Sequence, residues 1–292
     1  MSLKLSPSDY EVYVPIAEWI EKHIKEWLFM QRPLFKKLSA PIDSVLNGLD
    51  TLFNFIPFPI VILIFMAFAF KTNGLKFALL SALSLIFIDL VDLWQETMTT
   101  LAMIFTAVIF CMIIGIPLGI VASRSNLFET ILRPILDIMQ TIPSFVYLIP
   151  IIMLLGIGKV PGLLAVCIYA LPPIVRLTNL GIREVDKETL EASEAFGATP
   201  LQKLKSVQIP LSLPTIFAGI NQTIMMALAM VVIASMIGVK GLGIPILQSI
   251  SNQYLALGMM NGLAIVALAI IFDRVTQKYG QRIQKHRGQN KK

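Results

Sequence analysis

Long apolar runs separated by short polar connections set the pattern of the chain. Stretches without any charged residue cover 51–70, 97–123, 138–158, 160–175, 206–239 and 241–272, and most match or exceed the ~20 apolar residues an α-helix needs to cross a bilayer. The pattern predicts seven spans, at about 53–70, 75–93, 98–122, 138–157, 160–178, 214–238 and 256–273. Asp89 and Asp92 fall in the last turn of the second span and so belong at an interface. Ahead of the spans, Tyr13, Ile16, Ala17, Ile20, Ile24, Trp27 and Leu28 recur at three- and four-residue steps, with Glu18, Glu21, Lys22 and Lys25 on the other face. A second stripe, Ile42, Val45, Leu46, Leu49 and Leu52, leads into the first span. Such an amphipathic segment fits two arrangements: a helix in the headgroup plane, with Trp19 and Trp27 at that depth, or a helical cap packed on the bundle.

The longest polar connection between spans, about 178–213, is closely specified. Asp186 is placed to N-cap a helix running through Phe196, and Gly197 sits where a left-handed residue ends one. Thr199-Pro200-Leu201-Gln202 has the form of a capping box with proline at the first helical position. Pro210 and Pro214 are expected to stop this short helix and start the next span. Glu184, Glu188 and Glu191 share one side of the first helix, while Ala192, Ala195 and Gly197 offer a small-residue surface. Leu201, Leu204 and Val207 repeat every third residue between Lys203 and Lys205. A capped loop of this kind suits transmission of force to a cytosolic partner, and it equally suits a decorated connector.

Composition narrows the chemistry. Of 292 residues, 56% are hydrophobic and 14% charged, against about 25% charged in an ordinary soluble domain, and the mean hydropathy is +0.76. These values describe an all-α polytopic membrane protein. The two cysteines, Cys111 and Cys167, lie in apolar stretches as small hydrophobes, and the two histidines, His23 and His286, lie outside the spans. The core therefore holds no metal-ligand cluster and no Ser–His–Asp set, and the chain has neither glycine-rich phosphate cradle. The net charge of +6 gathers at membrane edges, which indicates topology rather than nucleic acid. With the C-terminus inside, inner loops carry Lys71, Lys76, Arg124, Arg133, Arg176, Arg183, Lys187, Lys203, Lys205 and the basic tail, while the opposite short loops carry Lys159 and Lys240. That asymmetry predicts N-terminus outside and C-terminus inside, despite the basic residues of the N-terminal segment. The first fifty residues are polar and amphipathic and do not read as a cleaved signal.

Glu191-Ala192-Ser193-x-x-x-Gly197, followed by Val207-Gln208-Ile209-Pro210, resembles the EAA loop of ABC-importer permeases, with Ser193, Val207 and Ile209 as departures that keep size or apolar character. The resemblance covers about 97–277 and implies a type I importer core of five helices, preceded by an amphipathic segment (1–52) and two extra helices (53–96) and followed by a basic tail (278–292). The runs 133–150 (Arg133 to Pro150), 170–179 (Ala170 to Asn179) and 218–225 (Ala218 to Met225) look like the glycine betaine/proline permease subfamily.

That resemblance implies a bacterial plasma-membrane subunit of an ATP-driven importer for glycine betaine or a related osmoprotectant. It implies three protein partners: a cytosolic ATPase that holds the ATP and Mg²⁺, an external binding protein, and a second copy of the chain. No cofactor, metal or nucleic acid is implied for the chain itself. Glu191, Ala192, Ser193, Gly197, Ala198, Ile209 and Pro210 would dock the ATPase. Asn221, Gln222, Thr223, Met226 and Met230 of the sixth span either line the path or make interhelical hydrogen bonds and packing. The glycines Gly238, Gly241 and Gly243, with Pro245, suggest a re-entrant or looped outer segment. A permease for choline, carnitine or another small solute is the neighbouring reading; an ion-coupled secondary transporter is the reading from another class, and it calls for a buried carboxylate and an inverted repeat.

Overall fold

Inside a bilayer a chain must satisfy its backbone internally, and among the described residues every regular element is helical. The computed structural model describes residues 18–288; Tyr13, Ile16 and Ala17 of the amphipathic stripe and the end of the basic tail lie outside them. Helix α1 (Glu26–Phe55) follows a π-helical stretch, Ile20–Lys25, without a break in the chain's course. Then come α2 (Phe58–Asn73), α3 (Leu75–Leu90), α4 (Trp94–Arg124), α5 (Asn126–Thr141), α6 (Leu148–Leu155) and α7 (Lys159–Arg183). The polar connection forms α8 (Lys187–Ala195) and α9 (Pro200–Lys203), and α10 (Ile209–Ala234), α11 (Gly243–Asn252) and α12 (Leu255–Gly288) complete the chain.

Four helical stretches are each long and apolar enough to cross a membrane alone: Trp94–Arg124, Lys159–Arg183, Pro200–Ile237 and Leu255–Gly280. They contain the third, fifth, sixth and seventh predicted spans. α2 and α3 have 16 residues each, about 24 Å of rise, yet their ends are fixed at opposite ends of the bundle. The Phe58 ring meets Trp94, at the start of α4, edge-on at 4.7 Å, and Asn73 Nδ2 donates to the Arg274 carbonyl, in the second half of α12, at 3.0 Å.

The fourth predicted span, 138–157, requires correction, because no continuous helix covers it. Helix α5 ends at Thr141, Ile142 is extended (φ −64°, ψ 129°), and a new helix begins at Leu148. Pro143 is the cause, since the residue before a proline is pushed out of the helical region. The crossing survives as two pieces. Asn126 and Glu129 of α5 bond to the last turns of α7, while the Gly158 amide beyond α6 donates to the Ile237 carbonyl.

α1 lies across the end of the bundle opposite the polar connection and is bent 99° from α2. Its second half caps the bundle: Leu46 is buried, Phe53 stacks on Phe105 at 5.4 Å, and Asp50 is paired with Lys159 at 2.6 Å. Trp19, Trp27, Leu34 and Leu38 remain exposed along it. At the same end the predicted glycine-rich loop forms a plug. Leu242 is fully buried and its amide donates to Thr100 Oγ1 at 2.9 Å.

The central packing joins α4, α7 and α10, where charge is absent and close approach is the available glue. A Cβ on Gly119 would sit 2.5 Å from the Thr178 Cβ and 2.8 Å from the Val175 carbonyl oxygen; one on Gly219 would sit 3.2 Å from the Ile174 Cα. Gly119→Ala is expected to lower stability by about 1–3 kcal/mol, because a backbone carbonyl cannot retreat as a side chain can. Gly262→Ala, with nothing within 4 Å of the new Cβ, is expected to be neutral or stabilising by up to about 1 kcal/mol. Thermal unfolding of both variants in detergent measures the difference.

Candidate functional site

The polar connection folds as a rigid knuckle. Asp186 caps α8 by accepting from the Glu188 amide at 3.1 Å. Phe196 closes the helix, and Gly197 (φ +80°) makes the corner, its amide donating to the Glu194 carbonyl at 2.8 Å while the Ala198 amide donates to the Ser193 carbonyl at 3.0 Å. A residue with a Cβ is strained at that φ. The capping box is present in both directions: the Thr199 amide donates to Gln202 Oε1 at 2.8 Å, and the Gln202 amide to Thr199 Oγ1 at 3.4 Å. Lys203 and Glu194 pair across the corner, fixing the angle between the two helices.

The expected proline stop is not there. Pro210 lies in the first turn of α10, Pro214 lies inside it, and a π-helical turn, Leu204–Gln208, carries the ladder through from α9. Pro210 lacks an amide hydrogen and its ring crowds the carbonyl four residues earlier. The wider π turn, in which the Ile209 amide donates to the Leu204 carbonyl, accommodates both. Residues Pro200–Ile237 thus form one 38-residue helical stretch, and the knuckle is continuous with a membrane-spanning rod.

At its other end the knuckle is tied down by one side chain. Arg183, the last residue of α7, donates from Nε to Asn179 Oδ1 at 2.9 Å, from Nη1 to Asn126 Oδ1 at 2.8 Å and from Nη2 to the Ala122 carbonyl at 2.8 Å. It also pairs with Glu129 Oε2 at 3.0 Å. The Ala122 carbonyl belongs to the last turn of α4, where no intrahelical donor remains. Glu129 in addition accepts from Arg133 at 2.9 Å and Asn179 at 3.0 Å. Burial alone would raise the Glu129 pKa; the bonds from Asn179 and Arg133 and the charges of Arg183 and Arg133 outweigh it and hold the carboxyl below its ordinary 4.5. A second pair, Arg176–Asp137, adds another tie between α7 and α5.

The residues singled out in the sequence occupy different levels. Glu191, Ala192 and Gly197 are exposed at the tip of the knuckle, Ser193 and Ala198 are half-buried behind it, and Ile209 and Pro210 are half-buried at the foot of the rod. Phe196 had escaped notice: at 93% exposure it is the most exposed large apolar side chain described. The available signal is an aromatic residue on a short polar helix with no large apolar side chain three or four positions away.

The sixth-span residues do not converge on one cavity. Asn221 and Gln222 border a groove of about 570 Å³ between α7, α10 and α12. Asn221 Nδ2 donates to Asp273 Oδ1 at 2.8 Å, and Thr276 donates to Asn221 Oδ1. Asp273, a carboxylate one residue beyond the last charge-free stretch, was missed. Thr223 and Met230 are fully buried, and Met226 and Met230 sulfurs face Gln140 at 3.6 Å and the Tyr147 hydroxyl at 3.9 Å. Four of the five therefore make contacts between elements or lie in the packed interior, while Gln222 is exposed in the groove.

A family model described as binding-protein-dependent transport system inner membrane component matches residues 115–285. The chain is 46% identical to the glycine betaine/proline betaine transport system permease protein ProW of Escherichia coli K12, over 93% of this chain and 77% of that one. It is 42% identical to the glycine betaine/carnitine transport permease protein GbuB of Listeria monocytogenes, over 92% and 96%. Its fold matches a chain of the MetNI methionine ABC transporter in an inward-facing conformation, with TM-score 0.59, 24% identity and coverage of 66% of this chain and 95% of that one.

Two outcomes are expected of the Arg183 junction. Arg183→Gln lowers stability by about 1–3 kcal/mol, as loss of charged hydrogen bonds does, and Glu129→Gln added to it costs less than the sum of the two singles; unfolding in detergent for the four-member cycle measures this. Because the folded-state pKa of Glu129 is depressed, its contribution is complete above the unfolded-state value and is lost as pH falls through the lowered one. Acid unfolding of Glu129→Gln should lack that limb.

Proposed function

The chain belongs to the family of binding-protein-dependent transport system inner membrane components, and from that membership we propose that it is the permease subunit of an ATP-driven importer for glycine betaine or a closely related compatible solute. The permease is a transport subunit rather than an enzyme, and ATP with its Mg²⁺ resides on a separate cytosolic ATPase. The cargoes for which the two bacterial relatives are named, each relative matching more than nine-tenths of this chain, support the cargo class. Carnitine, named for the Listeria relative, is the neighbouring cargo.

The observation that carries the mechanism is the knuckle's attachment. One side runs as continuous helix into α10, and the other is locked by Arg183 to α4 and α5. A displacement of the tip by a partner is therefore delivered to α4, α5, α7 and α10 together instead of being absorbed by a loose loop. The tip presents Phe196 as an apolar anchor beside Glu191, Ala192 and Gly197, a composition that suits insertion into a groove of the ATPase. The side carrying the knuckle, Arg274 and the basic tail is cytoplasmic under the positive-inside rule; α1 and the plug around Leu242 then face outward, where a binding protein would deliver cargo. A second copy completes the membrane core. An ion-coupled carrier would instead make the Asp273–Asn221 contact its coupling site, but leaves the rigid knuckle without a role.

Reconstitution with the partner ATPase and binding protein, with uptake of glycine betaine, proline betaine, carnitine, choline and proline measured, tests the reading. Uptake that requires ATP and favours the betaines is expected; uptake driven by an ion gradient without ATP overturns it. Gly197→Asp should abolish uptake while leaving membrane insertion intact. Phe196→Ala should weaken ATPase binding by about 2 kcal/mol, roughly thirtyfold in Kd, as truncation of a central aromatic anchor does. Titration of the ATPase onto the chain in nanodiscs reads that change.

A further inference from the structure

A second cavity lies away from the knuckle and shares one residue, Thr276, with the Asn221 groove. It has a volume of about 470 Å³ and is walled by residues of α1, α2, α4, α10 and α12. Half of the lining residues are aromatic: Phe53, Phe65, Phe68, Phe105 and Phe272. The rings brace one another: Phe53 stacks on Phe105 at 5.4 Å, and Phe272 meets Phe105 and Phe65 edge-on at 5.8 and 6.3 Å. Rings held in this way do not fold inward to fill the space.

The lining contains one polar side chain, Thr276, whose hydroxyl is already committed to Asn221 Oδ1 and to the Phe272 carbonyl at 2.7 Å. Water needs two or more polar partners to occupy a cavity, and the carboxylate of a zwitterion would lose its hydration with no free donor in the lining to replace it. The mouth is marked by Ile64 and Phe68, one turn apart on α2 and 54% and 51% exposed. They belong to the apolar face that α2 turns outward, together with Ile60 and Leu63. The cavity therefore opens sideways, at membrane depth, into hydrocarbon.

Past the cavity, Asn73 ties the α2–α3 turn to the Arg274 carbonyl; Arg274 is exposed, as is Lys76, three residues after Asn73 in the first turn of α3. Arg274 directly precedes Val275, a residue of the cavity wall. A cationic rim below an apolar slot matches a phospholipid's order of phosphate and chain. The geometry points to a binding site for one acyl chain of a phospholipid from the leaflet at the basic end, with its phosphate against Arg274 and Lys76. The lipid joins the α2–α3 hairpin to the core, where side-chain hydrogen bonds are sparse.

The test uses the full-length chain in liposomes of phosphatidylethanolamine and phosphatidylglycerol, doped with a phosphatidylglycerol whose acyl chain carries a photoreactive diazirine. Labelling concentrated on the peptides containing Phe68 and Phe272 is expected, with loss of that labelling in Ile64→Trp, which fills the slot, and unchanged labelling of the outward face of α3 around Leu83. If Ile64→Trp does not insert, Phe68→Ala decides: a wider mouth should increase labelling at Phe272, and no change overturns the proposal. Labelling spread evenly over all outward apolar faces and indifferent to Ile64→Trp overturns it, as does displacement of the label by glycine betaine, which would make the slot a cargo site.

Discussion

The guanidinium of Arg183 ties the foot of the knuckle to the ends of α4 and α5. Its four partners come from three helices, and one of them is a backbone carbonyl at the end of α4. An arginine suits this position because its planar fork presents donors in several fixed directions. With that group in place, the last turn of α7 cannot move independently of α4 or α5. The contacts among α4, α7 and α10 above it fall largely in charge-free stretches, so their stiffness comes from glycine-mediated close packing. Knuckle, junction and close-packed core form a single mechanical series.

Local signals in the sequence were reliable where the controlling chemistry was local. The Asp186 cap, the Gly197 corner and the Thr199–Gln202 box depend on side chains within three residues of the backbone groups they satisfy, and each is found where the spacing puts it. The four longest spans follow from hydropathy alone. Prolines were read less well, because their effect depends on what the neighbouring backbone can do. Pro143 divides a crossing that composition presented as continuous, while Pro210 leaves intact a helix it was expected to end, because a π turn absorbs its missing donor.

The site residues divide in the same way. Glu191, Ala192 and Gly197 form the exposed tip that a motif with fixed spacing suggests, whereas the sixth-span residues have no spacing rule that distinguishes a lining position from a packing one. Met230 and Thr223 turn out to be buried between helices, and Asn221 is engaged by Asp273 and Thr276 from a helix 52 to 55 residues further on. Phe196 is the reverse case. Its type suggests a core, and its position at the end of a short polar helix leaves it in solvent.

The division of the fourth crossing into α5 and α6 has a consequence for the interior itself. The closing carbonyls of one helix and the opening amides of the next are without full intrahelical partners, and between them lie only a few turn bonds, such as the Val146 amide to the Pro143 carbonyl at 2.8 Å. Part of the peptide backbone is thereby brought to a depth otherwise occupied by aliphatic carbon. The bundle acquires a dipolar waist there, built from peptide groups and the neighbouring Tyr147 hydroxyl rather than from charged side chains.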